Sequence, residues 1–578
     1  MDSRVLGIEG TAWAASAALY DAGTDEVHIE TDAYEPDSGG IHPREAAEHM
    51  HEAIPRVIED VLEYARESAG RVPTKSGDVA PTESDDVDPT ESDDVTPTES
   101  DDVDPGENRA DSPPIDAVAF SRGPGLGPCL RIVATAARAL AARLDVPLVG
   151  VNHMVAHLEI GRHTAGFADP VCLNASGANA HLLAYRNGRY RVLGETMDTG
   201  VGNAIDKFTR HVGWSHPGGP KVEERATGGE YVDLPYVVKG MDFSFSGIMS
   251  AAKDAYDGDV PVEDVCFSLQ ENVFAMLTEV SERALSLTGR DELVLGGGVG
   301  QNTRLRGMLA EMCESRGAAF HAPEARFLRD NAGMIAVLGA KMYEAGDTLA
   351  IADSRVDPDF RPDEVAVSWR DGSETAVDRA DGSEIRGAEA VVTVDPDAGR
   401  VYKRRVAKTY RHPALDDRLR RERTILEARL TSAARRVGVP TPLVYDVDLA
   451  ETTLAVEYVG DADLRAGLAA DRVAAVGEHL ATIHEAGFVH GDPTTRNVRI
   501  DDERTYLIDF GLGYHTDHVE DYAMDLHVFD GSLVGTTEEH GPLWDAFREG
   551  YLEVGDRRVL ERLADVERRG RYVGGEES

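Results

Sequence analysis

The sequence is poor in cysteine and in positive charge, and it contains no long apolar run. Its four cysteines, Cys129, Cys172, Cys266 and Cys313, are scattered and form no CxxC pair, which is typical of a reduced compartment rather than of a disulfide scaffold. No apolar stretch approaches the roughly 18 residues of a membrane span. The first residues also lack the charged and apolar regions of a signal peptide. We therefore expect a cytoplasmic protein with no membrane partner.

Basic residues are strongly outnumbered: 59 Lys and Arg stand against 105 Asp and Glu, which gives a formal net charge of −46. The acidic residues are spread along the whole chain instead of forming one tail. This pattern predicts a protein adapted to high salt, as in halophilic archaea, because salt screens the self-repulsion. Net charge then neither indicates nor excludes nucleic-acid binding. The 578 residues are enough for two or three domains.

Glycine-rich turns follow three predicted strands. Residues 4–11 end in Glu-Gly-Thr, and a strand at 115–120 runs into Gly-Pro-Gly-Leu-Gly-Pro. A third strand, at 292–295, runs into three consecutive glycines. Bare backbone at a strand end lets a phosphate, ribose or purine approach closely, and a helix that follows attracts an anion. The turns favour a nucleotide-like ligand, although a hairpin or a tight strand-to-helix turn needs the same residues.

A histidine pair follows the strand predicted at 148–151. His153 and His157 are four residues apart, so on a helix both imidazoles lie on one face and can bind one metal ion. An isolated pair at this spacing is also compatible with two surface or capping histidines. Far downstream, Asp330 and Asn331 start a predicted small-residue helix, and Asp330 offers a further carboxylate ligand.

Residues 74–114 are of low complexity. The segment Pro-Thr-Glu-Ser-Asp-Asp-Val recurs at positions 81, 89 and 97. Regular prolines, dense acids and almost no apolar residues cannot support a core. We expect a disordered surface insertion.

The order of the motifs GIEGT, GPGLGP, NHMVAH, SGAN, HPGGP, GGGVGQN and DNAGMIA resembles the universal tRNA threonylcarbamoyl transferases of the KEOPS and TsaD type. The resemblance covers residues 1–369 apart from the acidic insertion. It implies an α/β fold of the actin/hexokinase-like (ASKHA) class with two lobes.

The same resemblance implies a set of site residues. A divalent metal, Fe²⁺ with Zn²⁺ as the alternative, would be bound by His153, His157 and Asp330. Substrate contacts would come from the strand turn and from four further positions, namely Asn174, Ala175, Ser176, Gly177, Ala178, Asp206, Gly219, Glu223 and Asn302. The sequence departs from the family at two of these: Asn174 stands where a tyrosine is usual, and Ala178 where a second glycine is usual.

The region after a polar linker at 370–383 carries phosphoryl-transfer motifs. Asp492 precedes Asn497 by five residues, and Asp509 begins Asp-Phe-Gly. In kinases, such residues orient the nucleophile and hold Mg²⁺, while a strand lysine, here Lys403, contacts the ATP phosphates. We expect Glu427 to pair with Lys403, with Glu422 and Glu451 as alternatives.

There is no GxGxxG loop and no Ala-Pro-Glu motif in this region. The nearest equivalent of an ATP-binding loop is Gly387-Ala388-Glu389-Ala390. Residues 384–574 resemble the small atypical serine/threonine kinase of KEOPS, which implies a small α+β domain that binds ATP and Mg²⁺. We expect it to span 384–578.

Together these resemblances predict a fusion that passes the threonylcarbamoyl group from threonylcarbamoyl-AMP to N6 of adenosine 37 in tRNAs reading ANN codons. Its partners would be tRNA, ATP and the small KEOPS subunits. Three alternatives stay open: a metalloprotease, although NHMVAH lacks the glutamate of HExxH; a metabolite kinase of the same fold; and a regulatory ATP-binding second domain without turnover.

Overall fold

The structure, a computed structural model, describes residues 3–34, 43–68, 113–177, 179–186, 188–370, 384–537 and 539–569. Nearly all of the acidic repeats and of the polar linker predicted above lie outside these residues, as does Ala178. Among the described residues, no helix is long and apolar enough to cross a membrane.

The first lobe of the N-terminal region (residues 3–370) is built on a five-stranded sheet. Its strands are β1 (Arg4–Glu9), β2 (Ala14–Asp21), β3 (Glu26–Ala33), β4 (Ala117–Gly123) and β5 (Leu148–Asn152). They lie in the order β3-β2-β1-β4-β5. Strand β1 pairs antiparallel with β2 and parallel with β4, and both of its faces are buried, which explains its continuous apolar sequence.

Helices cover both faces of this sheet. Helices α1 (Pro43–Ser68) and α2 (Gly127–Leu144) pack on one face, and α3 (His153–Ala165) and α10 (Ala332–Glu344) pack on the other. The buried side of α1 follows the helical repeat of its apolar residues. The first lobe therefore has an apolar core on each side of the sheet.

The second lobe repeats this topology. Its strands are β6 (Val171–Ala175), β7 (Ala180–Arg186), β8 (Arg189–Glu195), β11 (Glu292–Gly296) and β12 (Ala319–His321). Read from β8, their order is β8-β7-β6-β11-β12, so three antiparallel strands again lead into two parallel ones. Helix α3 packs against residues of both sheets, which places the histidine pair between the lobes. The predicted two-lobed α/β fold is confirmed.

The remaining elements of the second lobe are mostly helices around its sheet. They are α4 (Val201–His211), α5 (Gly219–Ala226), β9 (Val238–Lys239), β10 (Asp242–Phe243), α6 (Ser246–Asp257), α7 (Val262–Thr288), α8 (Thr303–Arg316) and α9 (Ala325–Leu328). Helix α7 is buried along almost its whole length. Its apolar side packs into the lobe's core, and its charged side meets the C-terminal region.

The C-terminal region (residues 384–569) starts with an antiparallel sheet in the order β13-β14-β15-β17-β16 and one helix. These elements are β13 (Glu384–Arg386), β14 (Ala390–Asp395), β15 (Arg400–Arg405), α11 (Pro413–Arg436), β16 (Val444–Asp448) and β17 (Thr453–Glu457). A helical lobe follows. It consists of β18 (Ala462–Asp463), α12 (Ala470–Glu485), β19 (Phe488–Val489), β20 (Val498–Ile500), β21 (Thr505–Leu507), β22 (Tyr514–His515), α13 (Val519–Val534), α14 (His540–Val554) and α15 (Arg557–Arg569). This arrangement is the expected α+β class.

Candidate functional site

The histidine pair sits on the first turns of α3. Asn152 ends β5 and caps the helix, because its side-chain oxygen accepts hydrogen bonds from the backbone N–H groups of Met154 and Val155 at 3.0 and 3.1 Å. The helix therefore begins at His153, and His157 follows one turn later on the same face. Both rings point into the space between the two lobes.

Asp330 reaches the same point from the other end of the N-terminal region. Its Oδ1 lies 3.3 Å from Nε2 of His153 and 3.4 Å from Nε2 of His157. One ligand atom from each residue falls within 4.8 Å of the others. Asp330 precedes α10 rather than lying on it, since Asn331 is the capping residue. The carboxylate is thus held on a short bend between α9 and α10.

The electrostatics of this cluster suit a cation. Burial alone would raise the pKa of Asp330, but His153 and His157 hold it below its ordinary value. Burial opposes a charge on His153 as well, yet Glu9 and Asp330 raise its pKa to about 10. Burial lowers the pKa of His157. A protonated His153 faces Glu9 with Nδ1 and Asp330 with Nε2. Two imidazoles and a carboxylate aimed at one point also fit a divalent metal ion.

The strand turn predicted to bind substrate lies beside the cluster. A Cβ on Gly296 would stand 3.3 Å from Cβ of His157 and 3.7 Å from Oδ1 of Asn174. That Asn174 oxygen is buried and has no hydrogen-bond partner among the described residues. The turn itself is tightly packed, because Gly202 lies close enough to Gly177 that a Cβ would approach its Cα to 2.8 Å. Ala175 and Ser176 complete the described part of the turn.

Three of the four other predicted substrate positions already make contacts within the second lobe. Asp206 accepts a hydrogen bond from the backbone N–H of Gly218 at 2.8 Å, and Glu223 accepts one from the N–H of Thr303 at 2.8 Å. Asn302 caps α8. Gly219, at the start of α5, faces open space, since a Cβ there would meet nothing within 4 Å.

A second cluster lies in the C-terminal region. Nζ of Lys403, on β15, lies 2.9 Å from Glu427 on α11 and 2.6 Å from Asp509. The structure thus pairs the strand lysine with Glu427 rather than with Glu422 or Glu451. Burial would raise the pKa of Asp509, but Lys403 and neighbouring Arg405 hold it well below its usual range, so the Asp509 carboxylate is anionic.

Asp492 and Asn497 lie in one loop, as their spacing predicts. The Asn497 amide donates to the backbone oxygen of Asp492 at 2.9 Å and to its Oδ2 at 3.1 Å. From α13, Asp525 accepts hydrogen bonds from the N–H groups of His490 and Gly491 at 2.7 and 2.8 Å and holds the loop in place. Burial raises the pKa of Asp492 to about 6, against the opposing effect of Arg283.

The turn predicted to bind ATP, Gly387 to Ala390, closes through a 2.9 Å hydrogen bond from the N–H of Gly387 to the carbonyl of Ala390. Lys408 donates to the carbonyl of Ala388. The Glu389 carboxylate is surrounded by guanidinium groups, those of Arg283, Arg405, Arg411 and Arg423. Glu389 therefore points into an ion-pair network, and only the backbone of the turn is left for phosphate.

The N-terminal region packs against the Asp492 loop. From α7, Arg283 brings Nη1 to 3.9 Å from Oδ2 of Asp492. From the loop, Arg496 donates to the carbonyls of Ser286 and Leu287 at the end of the same helix. The turn at Gly240 lies so close that a Cβ there would stand 3.5 Å from Oδ1 of Asp492.

Sequence reasoning missed three residues at these sites. Glu9 was noted only as an acid at a strand end, yet its carboxylate is fully buried and contacts His153. His181 faces Asn174 from β7, with Nε2 at 3.5 Å from the amide nitrogen, and alternation along the strand was its only signal. Arg283 carried no signal, because its contact joins two regions. Helix α11 begins at Pro413, since His412 caps it and proline is favoured in the first turn.

Two sheets of matching strand order, with the cluster of His153, His157 and Asp330 between them, define an ASKHA-type protein joined to a second domain. The sequence model described as tRNA N6-adenosine threonylcarbamoyltransferase matches residues 107–337. Proteins described as probable bifunctional tRNA threonylcarbamoyladenosine biosynthesis proteins match almost end to end. The relative from Halobacterium salinarum is 67% identical over 98% of this chain and 98% of its own. Those from Haloquadratum walsbyi and Methanospirillum hungatei are 64% and 47% identical, each over 98% of this chain and 100% and 99% of their own.

The chain belongs to the family of bifunctional tRNA threonylcarbamoyladenosine biosynthesis proteins. It is a tRNA threonylcarbamoyltransferase that takes part in forming N6-threonylcarbamoyladenosine, and tRNA is its substrate. The predicted fusion of this transferase with a second domain is confirmed.

Proposed function

We propose that residues 1–369 form a metal-dependent transferase domain and that residues 384–578, after a linker at 370–383, form an ATP-hydrolysing domain of the atypical kinase type. The convergence of His153, His157 and Asp330 beside the 174–177 turn carries the first part. The cluster of Lys403, Glu427 and Asp509 facing Asp492 supports the second. The protein would act in the cytoplasm together with the small KEOPS subunits.

In the transferase reaction, the N6 amine of adenosine 37 forms a bond to the carbamoyl carbon of threonylcarbamoyl-AMP. The bond from that carbon to the phosphate oxygen breaks, AMP leaves with the electron pair, and the amine loses a proton to solvent. No protein nucleophile is needed, so the chain's work is positioning and electrostatic stabilisation. Bound Fe²⁺, with Zn²⁺ as the alternative, would supply Lewis-acid stabilisation. His153, His157 and Asp330 would hold it.

The second lobe would hold the nucleotide part of the donor. The backbone of the turn at Ala175 to Gly177 and of the glycines at 296–298 can approach phosphate or purine closely. Glu223 accepts hydrogen bonds from the N–H and the hydroxyl of Thr303 through Oε1. Asp206 accepts one from the N–H of Gly218 through Oδ1 and contacts His216 through Oδ2. Their remaining lone pairs can accept hydrogen bonds from ribose hydroxyls or the adenine edge.

In the second domain, Asp492 would orient the nucleophile, Asn497 and Asp509 would hold Mg²⁺, and Lys403 and the turn backbone would contact ATP phosphates. We propose water rather than a protein hydroxyl as the nucleophile. The support is steric: Gly240 and Arg283 of the transferase domain lie against Asp492, where a protein substrate would have to enter.

The test is a reconstitution in high KCl with ATP, threonine, bicarbonate, the adenylate-forming enzyme, the small KEOPS subunits and transcript tRNA, followed by nucleoside mass spectrometry. We expect His157→Ala to abolish the modified nucleoside and Asp492→Ala to abolish both ATP hydrolysis and repeated rounds of modification. His163→Ala, a half-buried histidine on the same helix that pairs with Asp25 instead of Asp330, and Asp517→Ala, an exposed acid of the second domain, are the matched controls.

Two outcomes would contradict the proposal. Normal modification by a folded His157→Ala variant would refute the metal site. Full modification by Asp492→Ala would show that the second domain binds ATP without the need for turnover.

A further inference from the structure

Arg283 belongs to the transferase domain, but its guanidinium group lies in the proposed nucleotide site of the second domain. It extends from α7, and only 12% of its side chain is exposed. Four carboxylates surround it: Glu279 on its own helix, and Glu389, Asp492 and Asp509 of the second domain. The last two are the groups proposed to orient the nucleophile and hold Mg²⁺.

One edge of the Arg283 guanidinium group binds Glu279, and the other edge faces the proposed nucleotide site. Its Nε and Nη2 both donate to Oε1 of Glu279, at 3.1 and 3.0 Å. Nη1 lies on the far side, 3.9 Å from Oδ2 of Asp492, which is beyond hydrogen-bond distance. In the described part of the chain, Nη1 makes no hydrogen bond to another residue, so its two N–H groups are free to serve a ligand.

The position of α7 relative to the Asp492 loop is fixed independently. Arg496, four residues after Asp492, donates to the carbonyls of Ser286 and Leu287, where the last turn of α7 leaves carbonyls without helical partners. This clamp lies one turn beyond Arg283. The distance between Arg283 and Asp492 is therefore set by two contacts between the same pair of elements.

We propose that Arg283 is a catalytic residue of ATP hydrolysis, supplied to the second domain by the transferase domain. The inference rests on the ATPase proposed above. The water oxygen bonds to the γ-phosphorus while the bond from that phosphorus to the bridging oxygen breaks. ADP leaves with the electron pair, and the water proton passes to Asp492 and then to solvent. Nη1 of Arg283 donates to the γ-phosphate oxygens as their negative charge is redistributed.

Arg283 suits this role better than Lys403. Lys403 is a point charge already paired with Glu427 and Asp509. A guanidinium keeps its charge, is pre-oriented by Glu279, and presents parallel N–H groups to phosphate oxygens. If the transferase domain must be docked to supply it, nucleotide turnover occurs only in the assembled chain, which couples the two activities.

The experiment compares the full-length wild type with Arg283→Lys and Arg283→Gln by single-turnover ATP hydrolysis in molar KCl. Loss of a pre-oriented donor to a developing charge should lower the hydrolysis rate about 100-fold or more. ATP affinity should stay within about threefold, because the interaction strengthens only in the transition state. Binding of ADP with aluminium fluoride, which mimics that state, should be lost in both variants.

Arg304→Lys is the matched control. Arg304 is also an arginine of the transferase domain that contacts the second domain, through the carbonyl of Tyr410, but it pairs with Glu271 and does not face Asp492. It should leave both the rate and the aluminium fluoride complex unchanged. Thermal unfolding of each variant confirms folding, and Arg283→Lys keeps the charge within the network if Arg283→Gln does not fold.

The outcomes separate this inference from the proposed function. If the wild type hydrolyses ATP and Asp492→Asn does not, but Arg283→Lys keeps the wild-type rate, only the role of Arg283 is refuted. A faster rate in the Arg283 variants would show that the side chain blocks the site, and would also overturn the inference. If neither the wild type nor Asp492→Asn hydrolyses ATP, the proposed ATPase itself fails.

Discussion

The carboxylate of Glu9 lies 3.2 Å from Nδ1 of His153 and is completely buried. Its other oxygen accepts a hydrogen bond from the N–H of Thr11 at 2.8 Å. The carboxylate can thus hold the proton of His153 on Nδ1, which leaves Nε2 bare toward Asp330. A carboxylate behind a ligating imidazole fixes its tautomer and orientation in many metal sites.

Glu9→Gln should therefore weaken metal binding. If the NH2 group of the new glutamine donates to Nδ1, the ring proton moves to Nε2, the atom that must bind the metal. If that NH2 group faces Thr11 instead, it meets the backbone N–H of Thr11, which is also a donor. We expect affinity for the metal to fall by about 10- to 100-fold, measured by competition with a chelator. Glu195→Gln, a substitution of the same type in the second lobe, should leave it unchanged, and equal affinities for wild type and Glu9→Gln would refute this role.

Gly297 should not tolerate a side chain. Its φ of 84° and ψ of 157° lie in a region that only glycine occupies readily, and a Cβ would stand 2.3 Å from the carbonyl oxygen of Ala175. Gly297→Ala should lower the free energy of unfolding by about 2 kcal/mol or more from backbone strain and crowding. The neighbouring Gly298→Ala would meet only Arg329, at 3.9 Å, and should unfold like the wild type in thermal denaturation; similar losses in both variants would contradict the explanation.

The main strands and the order of the motifs could be predicted from the sequence, because buried strands and glycine turns have recognisable local patterns. It also indicated that His153 and His157 share a face, since helix geometry fixes that relationship. The meeting of Asp330 with that pair rested mainly on family resemblance, because the contact joins residues 173 positions apart in the chain and no local pattern predicts it. The charged residues of α7 did not indicate an interface, because residues such as Glu279 and Arg283 follow the pattern of the solvent-exposed face of an amphipathic helix.

Glu195 should make stability depend on pH near neutrality. Burial raises its pKa from 4.5 to about 7, with Asp242 and Asp363 adding to the effect and Arg361 opposing it. In the unfolded chain the carboxyl loses its proton near 4.5, so between these values the unfolded state binds fewer protons and stability falls as pH rises. Glu195 lines a cavity of about 510 Å³ between the domains, where the neutral amide of Gln fits.

Glu195→Gln removes this titration. The variant should melt at a higher temperature than the wild type at pH 8, and the difference should shrink toward pH 5, where the wild-type carboxyl is largely protonated. Melting curves at several pH values at constant KCl provide the measurement. A difference in melting temperature that is the same at pH 5 and pH 8 would show that the ionisation of Glu195 does not matter.

Glu389 should be the most sensitive point of the domain interface. Its carboxylate contacts Arg405 and Arg411 at 3.3 and 3.4 Å and also contacts Arg423, while Arg411 and Arg423 bind Glu279 of the transferase domain. Burial would raise the pKa of Glu389, but these guanidinium groups hold it well below its ordinary value. The site thus contains a full negative charge that balances several buried positive ones.

Glu389→Gln leaves those arginines undercompensated. Breaking a buried ion pair by removing one partner costs about 3–5 kcal/mol, and we expect calorimetry to show earlier melting of the second domain, separated from that of the transferase domain. Lys239→Gln, which breaks the more exposed pair with Asp521 across the same interface, should cost under about 1 kcal/mol. Salt screens exposed pairs far more than buried ones. The loss of stability in Glu389→Gln should therefore persist in molar KCl, while the loss in Lys239→Gln should disappear. If molar KCl reduced both losses equally, the Glu389 cluster would have to be in contact with solvent.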